Sequence, residues 1–250
     1  MGAIDLYARQ KAGYEERLAQ AIETLREAAA AHPGTIVQAT SLGAEDMVVT
    51  DLIRRHALPI AIGTLQTGAL HADTVALIGR LEAHYAATDG GPGLKIEVYE
   101  PKNESVITFV RDHGDRAMYE SIALRKACCG IRKLEPLSRM LATRSAWITG
   151  LRREQSNNRG GMQRIESDDA GRAKVNPLIE WTWNDVWHYI ASHGIPYNPL
   201  HDQFMPSIGC APCTREIAVG EDFRAGRWWW EDENAKECGL HVHQTEAGQA

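Results

Sequence analysis

Cysteine is scarce in this chain, with five in 250 residues. Positive charge is short as well. A formal net charge of -6 argues against a general nucleic-acid binder, because phosphate-backbone binding rests on a positive surface. No apolar run approaches the roughly 18 residues needed to cross a bilayer. The start, Met1-Gly2-Ala3-Ile4-Asp5-Leu6, lacks both a signal-peptide core and the Ser/Thr of a myristoylation site. The expectation is a soluble, cytoplasmic protein with neither membrane nor nucleic acid as a partner. In that reducing compartment, sparse cysteines are metal ligands or catalytic thiols more often than disulfides. No internal repeat or long low-complexity tract interrupts the chain.

What is present is an α/β rhythm. Leu18, Ile22 and Leu25 mark a helix over 14–30 that ends before His32-Pro33-Gly34. The β-branched run 35–40 leads through Ser41-Leu42-Gly43 to a helix over 47–56. The pattern recurs as a strand over 59–65, the turn Gln66-Thr67-Gly68, and a helix through Val75, Leu77, Ile78 and Leu81. A third strand is expected at 94–99, helices near 105–110, 119–128 and 134–141, and a strand at 146–149 running into Gly150. Residues 156–174 are polar and glycine-containing and read as a surface loop; a strand-like 175–179 follows. Thr182 can then cap a helix carrying Val186, Trp187 and Ile190. This alternation predicts a mostly parallel sheet with helices on both faces, with ligands beyond the carboxyl ends of its strands. The expected division is a nucleotide-binding domain over 1–220 carrying four cysteines, and a mobile C-terminal tail over 221–250 carrying the fifth.

The cysteines set the chemistry. Cys128-Cys129 are adjacent, Cys210 and Cys213 form a C-x-x-C pair, and Cys238 stands alone. Four thiolates can hold zinc or an iron-sulfur cluster. Adjacent cysteines are strained toward a single ion, whereas a cubane offers separate irons. Either cysteine alone reads better as a buried helix-end residue, and only the set of four favours the metal. Ser41-x-Gly43 and Gln66-Thr67-Gly68 each suit either an anion-binding turn or an ordinary capped helix start. Basic residues cluster at Arg125-Lys126, Arg132-Lys133, Arg152-Arg153, Arg159 and Arg224-x-x-Arg227, suiting a small multiply charged anion. Trp228-Trp229-Trp230 reads as a hydrophobic latch at the root of the tail, with a partner-docking face as the alternative. Cys238, followed by Gly239 and His241, is a thiol that a moving end can carry between an active site and a second protein.

These motifs closely resemble the iron-sulfur branch of the adenylyl/phosphoadenylyl-sulfate reductase family, the assimilatory adenylyl-sulfate (APS) reductases. The resemblance runs from Ser41 to His241. It is carried by Cys128-Cys129-Gly130-Ile131-Arg132-Lys133, by residues 147–156, 196–201 and 208–215, by Gly226-Arg227-Trp228-Trp229-Trp230-Glu231, and by Lys236-Glu237-Cys238-Gly239-Leu240-His241. It implies an adenine nucleotide α-hydrolase-like (Rossmann-like) fold and a 4Fe-4S cluster on Cys128, Cys129, Cys210 and Cys213. It also implies an oxidoreductase of sulfate assimilation and cysteine biosynthesis that reduces adenylyl sulfate to sulfite and AMP with thioredoxin. By the same resemblance Cys238 is the nucleophile that becomes S-sulfocysteine. Lys133, Arg159, Arg224, Arg227 and His241 hold the phosphosulfate, with Arg164 a rival to Arg159. Ser41, Gly43, Leu65 and Gly150 form the nucleotide-binding turns. Gln66 departs from the acidic residue common at its position. Two other readings stay open: reduction of phosphoadenylyl sulfate, and a redox- or metal-sensing nucleotide-binding protein. A homo-oligomer is compatible with the sequence, which does not set the oligomeric state.

Overall fold

The computed structural model describes residues 2–86, 92–155 and 161–231. A six-stranded sheet is built from β1 (Ile36–Thr40), β2 (Ala61–Leu65), β3 (Ile96–Tyr99), β4 (Ala146–Ile148), β5 (Ile165–Ser167) and β6 (Ala173–Val175) in the order β3-β2-β1-β4-β6-β5. All neighbours pair parallel except β5, which runs antiparallel to β6 with Ile165 opposite Val175. Strand β1 lies in the middle: the chain first builds outward through β2 and β3, then returns to lay β4 on the other side. Open α/β sheets place their ligands at such a reversal, outside the carboxyl ends of the strands.

Helices cover both faces, as the alternation in β1 requires. Ile36 points into the larger core, packed with α2 (Tyr14–Ala31), α3 (Ala44–Arg55), α4 (Ala72–His84) and α8 (Trp183–His193) through residues such as Leu25, Val48, Leu77 and Trp187. Val37 points the other way, into a smaller cluster with Met140 and Leu141 of α7 (Glu135–Leu141) and Trp147 of β4. Between them Gln38, fully buried, donates to the Asp46 carbonyl at 2.9 Å and accepts from Thr50 Oγ1 at 2.9 Å. A buried amide must find partners, and these two fix the first turns of α3 against the sheet.

Helix α8 begins where expected. Thr182 Oγ1 accepts from Asp185 N, and the Asp185 carboxylate accepts in return from Thr182 N. The remaining helices are α1 (Ala3–Tyr7), α5 (Asn103–His113) and α6 (Ile122–Cys129). Two differences from the sequence reading concern the site. The polar stretch taken as a loop contains β5 and the start of β6, and the strand placed at 175–179 is Ala173–Val175. The helices taken as separate run on continuously from α6 to α7 through a π-helical turn over Gly130–Leu134. That widening directly precedes Pro136, which lacks an N–H and crowds the carbonyl four residues back. The root of the C-terminal segment packs on the body, as the latch reading of Trp228-Trp229-Trp230 expects: Trp228 is buried and the backbone of Arg227 bridges Thr214. Among the described residues no helix is long and apolar enough to cross a membrane.

Candidate active site

A cleft of about 210 Å³ opens at the carboxyl ends of β1, β2 and β4. Its walls include Ser41, Gly43, Leu65 and Gly150 on one side, and Lys133, Arg224 and Arg227 on the other. Seven of the nine residues assigned to substrate on sequence grounds therefore line one cavity. The other two, Arg159 and His241, lie outside the described residues, as does Cys238. Arg164 approaches Thr24 on α2 at 3.5 Å and is not part of the cleft wall.

In the β1–α3 turn the donors of Ser41 and Ala44 are already engaged within the protein. Asp46 Oδ2 accepts from both Ser41 N and Ser41 Oγ, each at 2.6 Å, and Ala44 N donates to His201 Nε2 at 3.2 Å. Gly43, not Ser41, immediately precedes the helix. Burial pushes the Asp46 carboxyl up to about 6 against the two Ser41 bonds that favour its ionised form, and Glu45 adds to the rise. Burial likewise pushes His201 down to about 4, so at neutral pH it is an uncharged acceptor. Glu45 is held by the buried Arg152 at 2.9 Å and by Gln155 at 2.8 Å. Gly150 is required beside this turn, because a Cβ there would lie 2.6 Å from Asp46 Oδ1. Asp46, Glu45 and His201 were not singled out from the sequence. The turn beginning Ser41-x-Gly43 and the run over 196–201 pointed near them, but what matters is their burial together.

The opposite wall is basic and braced by Trp228. Arg227, itself buried, donates to the carbonyls of Cys213 at 3.1 Å and Ile208 at 3.3 Å. A Cβ on Gly209 would collide with its guanidinium, which is why that position is glycine. Arg227 and Arg224 lie over the Trp228 ring at 4.7 and 6.0 Å, close enough for the ring face to attract a cation. The charge and geometry of this wall suit an anion, whereas the charged side chains beside Ser41 are the acidic Glu45 and Asp46. Much of the cleft lining is apolar, with Leu65, Leu70, Met140 and Trp147 among it, and together with the basic wall it fits a molecule with one uncharged and one anionic end.

Behind the basic wall, Cys128, Cys210 and Cys213 are buried in a cluster with Phe109, Met118 and Trp228, and Cys129 is half-buried beside them. The charge of Lys133 reaches Cys210, Cys213 and Cys128, so this side chain stands between cleft and thiols. Burial raises Cys128, and it pushes Cys213 up to about 12 with help from Cys210. Cys210 goes the other way: burial raises it, but Lys133, the Thr67 hydroxyl at 3.2 Å, Arg227 and Arg132 together hold it below the usual thiol range. Tyr119 ties the second cysteine pair down by donating to the Pro212 carbonyl at 2.6 Å. Gln66 turns back to accept from Gly68 N at 3.1 Å, and Arg132 donates to the Thr67 carbonyl at 2.8 Å. Among the described residues no three Cys, His, Asp or Glu side chains converge as a single-ion site. Four thiols gathered in an apolar pocket fit a larger thiophilic group spread over several metal atoms.

Residues 35–216 match the phosphoadenosine phosphosulfate reductase domain. The chain belongs to this family. That span holds the whole sheet and all four clustered cysteines, while Arg224 and Arg227 lie beyond it. The relatives reach further. An adenosine 5'-phosphosulfate reductase from Allochromatium vinosum is 54% identical over 208 residues, covering 83% of this chain and 78% of that protein. One from Neisseria meningitidis serogroup A is 48% identical over 234 residues, covering 92% and 93%. Among solved structures, a phosphoadenylyl-sulfate reductase from Candida auris superposes with a TM-score of 0.62 at 28% identity, over 77% of this chain and 88% of that one. A Candida glabrata FMN adenylyltransferase, at 12% identity and a TM-score of 0.54, shares the fold, as expected of an adenine nucleotide α-hydrolase-like sheet.

Proposed function

We propose that this chain reduces adenylyl sulfate to sulfite and AMP, as an oxidoreductase of sulfate assimilation that feeds cysteine biosynthesis. The observation that carries the reading is the polarity of the cleft, with nucleotide-binding turns at one end and Lys133, Arg224 and Arg227 at the other beside four clustered cysteines. The names of the relatives from Allochromatium and Neisseria support the same substrate. Between the two sulfonucleotides, the four clustered cysteines and the names of these relatives favour the one without a ribose phosphate.

In this reading the basic wall holds the phosphosulfate, and its guanidinium groups balance the charge gathering on the departing phosphate oxygen. The Cys238 thiolate attacks the sulfate sulfur; an S–S bond forms, the sulfur–oxygen bond to phosphate breaks, and AMP leaves. A thioredoxin thiolate then attacks the Cys238 sulfur and releases sulfite. The second thioredoxin thiol closes that protein's disulfide, so its dithiol supplies both electrons. Cys128, Cys129, Cys210 and Cys213 would hold a 4Fe-4S cluster, whose charge, when bound, would act on the substrate through the neighbouring Lys133. Thioredoxin as donor and the cytoplasm as location belong to the same proposal.

The test is sulfite release by anaerobically purified protein with thioredoxin. Cys238→Ser is expected to abolish turnover while retaining AMP binding, and adenylyl sulfate should be used in preference to phosphoadenylyl sulfate. Unimpaired turnover by that variant would overturn the reading.

A further inference from the structure

Helix α6 carries more than the adjacent cysteines. Arg125, one turn before Cys128 and Cys129, is buried to 1% exposure and grips the Glu231 carboxylate, itself 3% exposed, through two bonds of 2.9 and 2.7 Å. Its guanidinium also lies over the Trp228 ring at 4.6 Å. Such a pair is a poor device for stability alone, because stripping water from two charges largely offsets their attraction. What a buried, two-pronged pair does supply is register. Three consecutive tryptophans can slide into a pocket by one residue and still bury apolar area; a carboxylate fitted to one guanidinium cannot. The backbone agrees: Trp228 sits at a φ of +42°, a left-handed conformation that a bulky side chain keeps only where its surroundings over-determine it.

We infer that the Arg125–Glu231 pair is a positioning anchor, which fixes the root of the C-terminal segment relative to the cysteine cluster and so sets the reach of Cys238. This rests on the function proposed above. Cys238 comes seven residues after Glu231, a tether of at most about 25 Å. If the pair lets go, Trp228 and Trp230, the latter against Tyr119 at 4.4 Å, still hold the segment but can slip; should they release, the next fixed point is Arg227, held by Cys213 and Ile208, and the tether grows to eleven residues. Effective concentration falls roughly as the -3/2 power of tether length, so length alone lowers the local concentration of the thiol by up to about two-fold. Lost direction adds to that.

Glu231→Gln, in the full chain purified anaerobically, tests the inference, with Glu231→Asp as the charge-retaining variant. Three measurements separate anchoring from general damage: iron content with AMP affinity, trypsin cleavage after Arg227, and the single-turnover rate of S-sulfonation at Cys238 read by mass spectrometry. The Gln variant should keep iron and AMP affinity within about two-fold of the parent. It should be cut after Arg227 at least about ten-fold faster, since local opening controls such cleavage, and S-sulfonate at least about two-fold more slowly. The Asp variant should recover part of both. Unchanged cleavage and transfer would overturn the anchor, and so would iron and affinity falling in step with transfer, the mark of a purely structural bond. A parent that forms no adduct on Cys238 would overturn the function and the catalytic half of this inference. The cleavage arm would still judge the anchor by itself.

Discussion

Asp46 and His201 brace the same first turn of α3, one through Ser41 and the other through Ala44, and they titrate in opposite senses. His201 is held near 4 in the fold against the ordinary histidine value of 6.5. Its contribution to stability is complete above that value and is lost as pH falls toward 4. Asp46 is raised to about 6 from 3.8. The folded state therefore holds a proton that the unfolded chain has released, and stability falls as pH rises through that interval. Each shift is worth about 3 kcal/mol over its window, so between about pH 4 and 6 the two largely cancel. His201→Gln should uncover the Asp46 slope: relative to the parent, the variant gains about 3 kcal/mol as pH drops from 6 to 4. Asp46→Asn should lose a similar amount over the same range. Urea midpoints across that interval measure both, and a difference from the parent that stays flat with pH would refute the pairing. Neither residue was readable beforehand, because an Asp in a helix's first turn and a His in a turn are ordinary until burial makes them costly.

At the scale of elements, legibility followed how local the signal was. The helix from Trp183 was readable because its start is coded within four residues, Thr182 to Asp185, and the structure places both bonds of that capping box. Removing the hydroxyl in Thr182→Ala should cost about 1 kcal/mol. For a chain of this length that lowers the melting temperature by about 2–4 °C, readable by calorimetry; a larger loss would mean that the buried Asp185–Arg17 pair had been broken with it. The central strands were equally plain from their β-branched runs. The β5–β6 hairpin was not, since Ile165-Glu166-Ser167 is mostly exposed and its pairing with Ala173–Val175 depends on the buried Lys174–Glu166 contact at 2.8 Å, a feature of three dimensions. The π turn was equally hidden. Composition marks Gly130 and Pro136 as breakers, yet the chain widens instead of stopping and carries Lys133 from the cysteines into the cleft wall.

Across the whole molecule, the site joins segments that the sequence keeps far apart. The adjacent cysteines end α6, the C-x-x-C pair follows α8, and Arg227 clasps the second pair through the Cys213 carbonyl. The motifs announced the membership of this assembly, because thiols and guanidinium groups at fixed spacing have few other uses. Its extent was only partly visible: periodicity fades after Gly220, and the three tryptophans marked a latch there, but nothing in the sequence marked Glu231 as a buried partner of Arg125. A group bound by all four thiols would therefore cross-link α6, the 210–213 turn and the root of the C-terminal segment, and anything that binds only the folded state stabilises it by mass action. Loss of the metal should then be felt as loss of stability and not only of activity. Cys213→Ser, or removal of iron from the parent under anaerobic conditions, should lower the melting temperature by about 4–8 °C, corresponding to about 2 kcal/mol. Trypsin cleavage after Arg227 should accelerate in the same samples, because the Cys213 carbonyl that Arg227 holds loses its support. Iron analysis beside calorimetry decides the matter: protein stripped of iron that melts at the parent's temperature would mean that the cysteines are gathered by the fold alone and that the bound group fastens nothing.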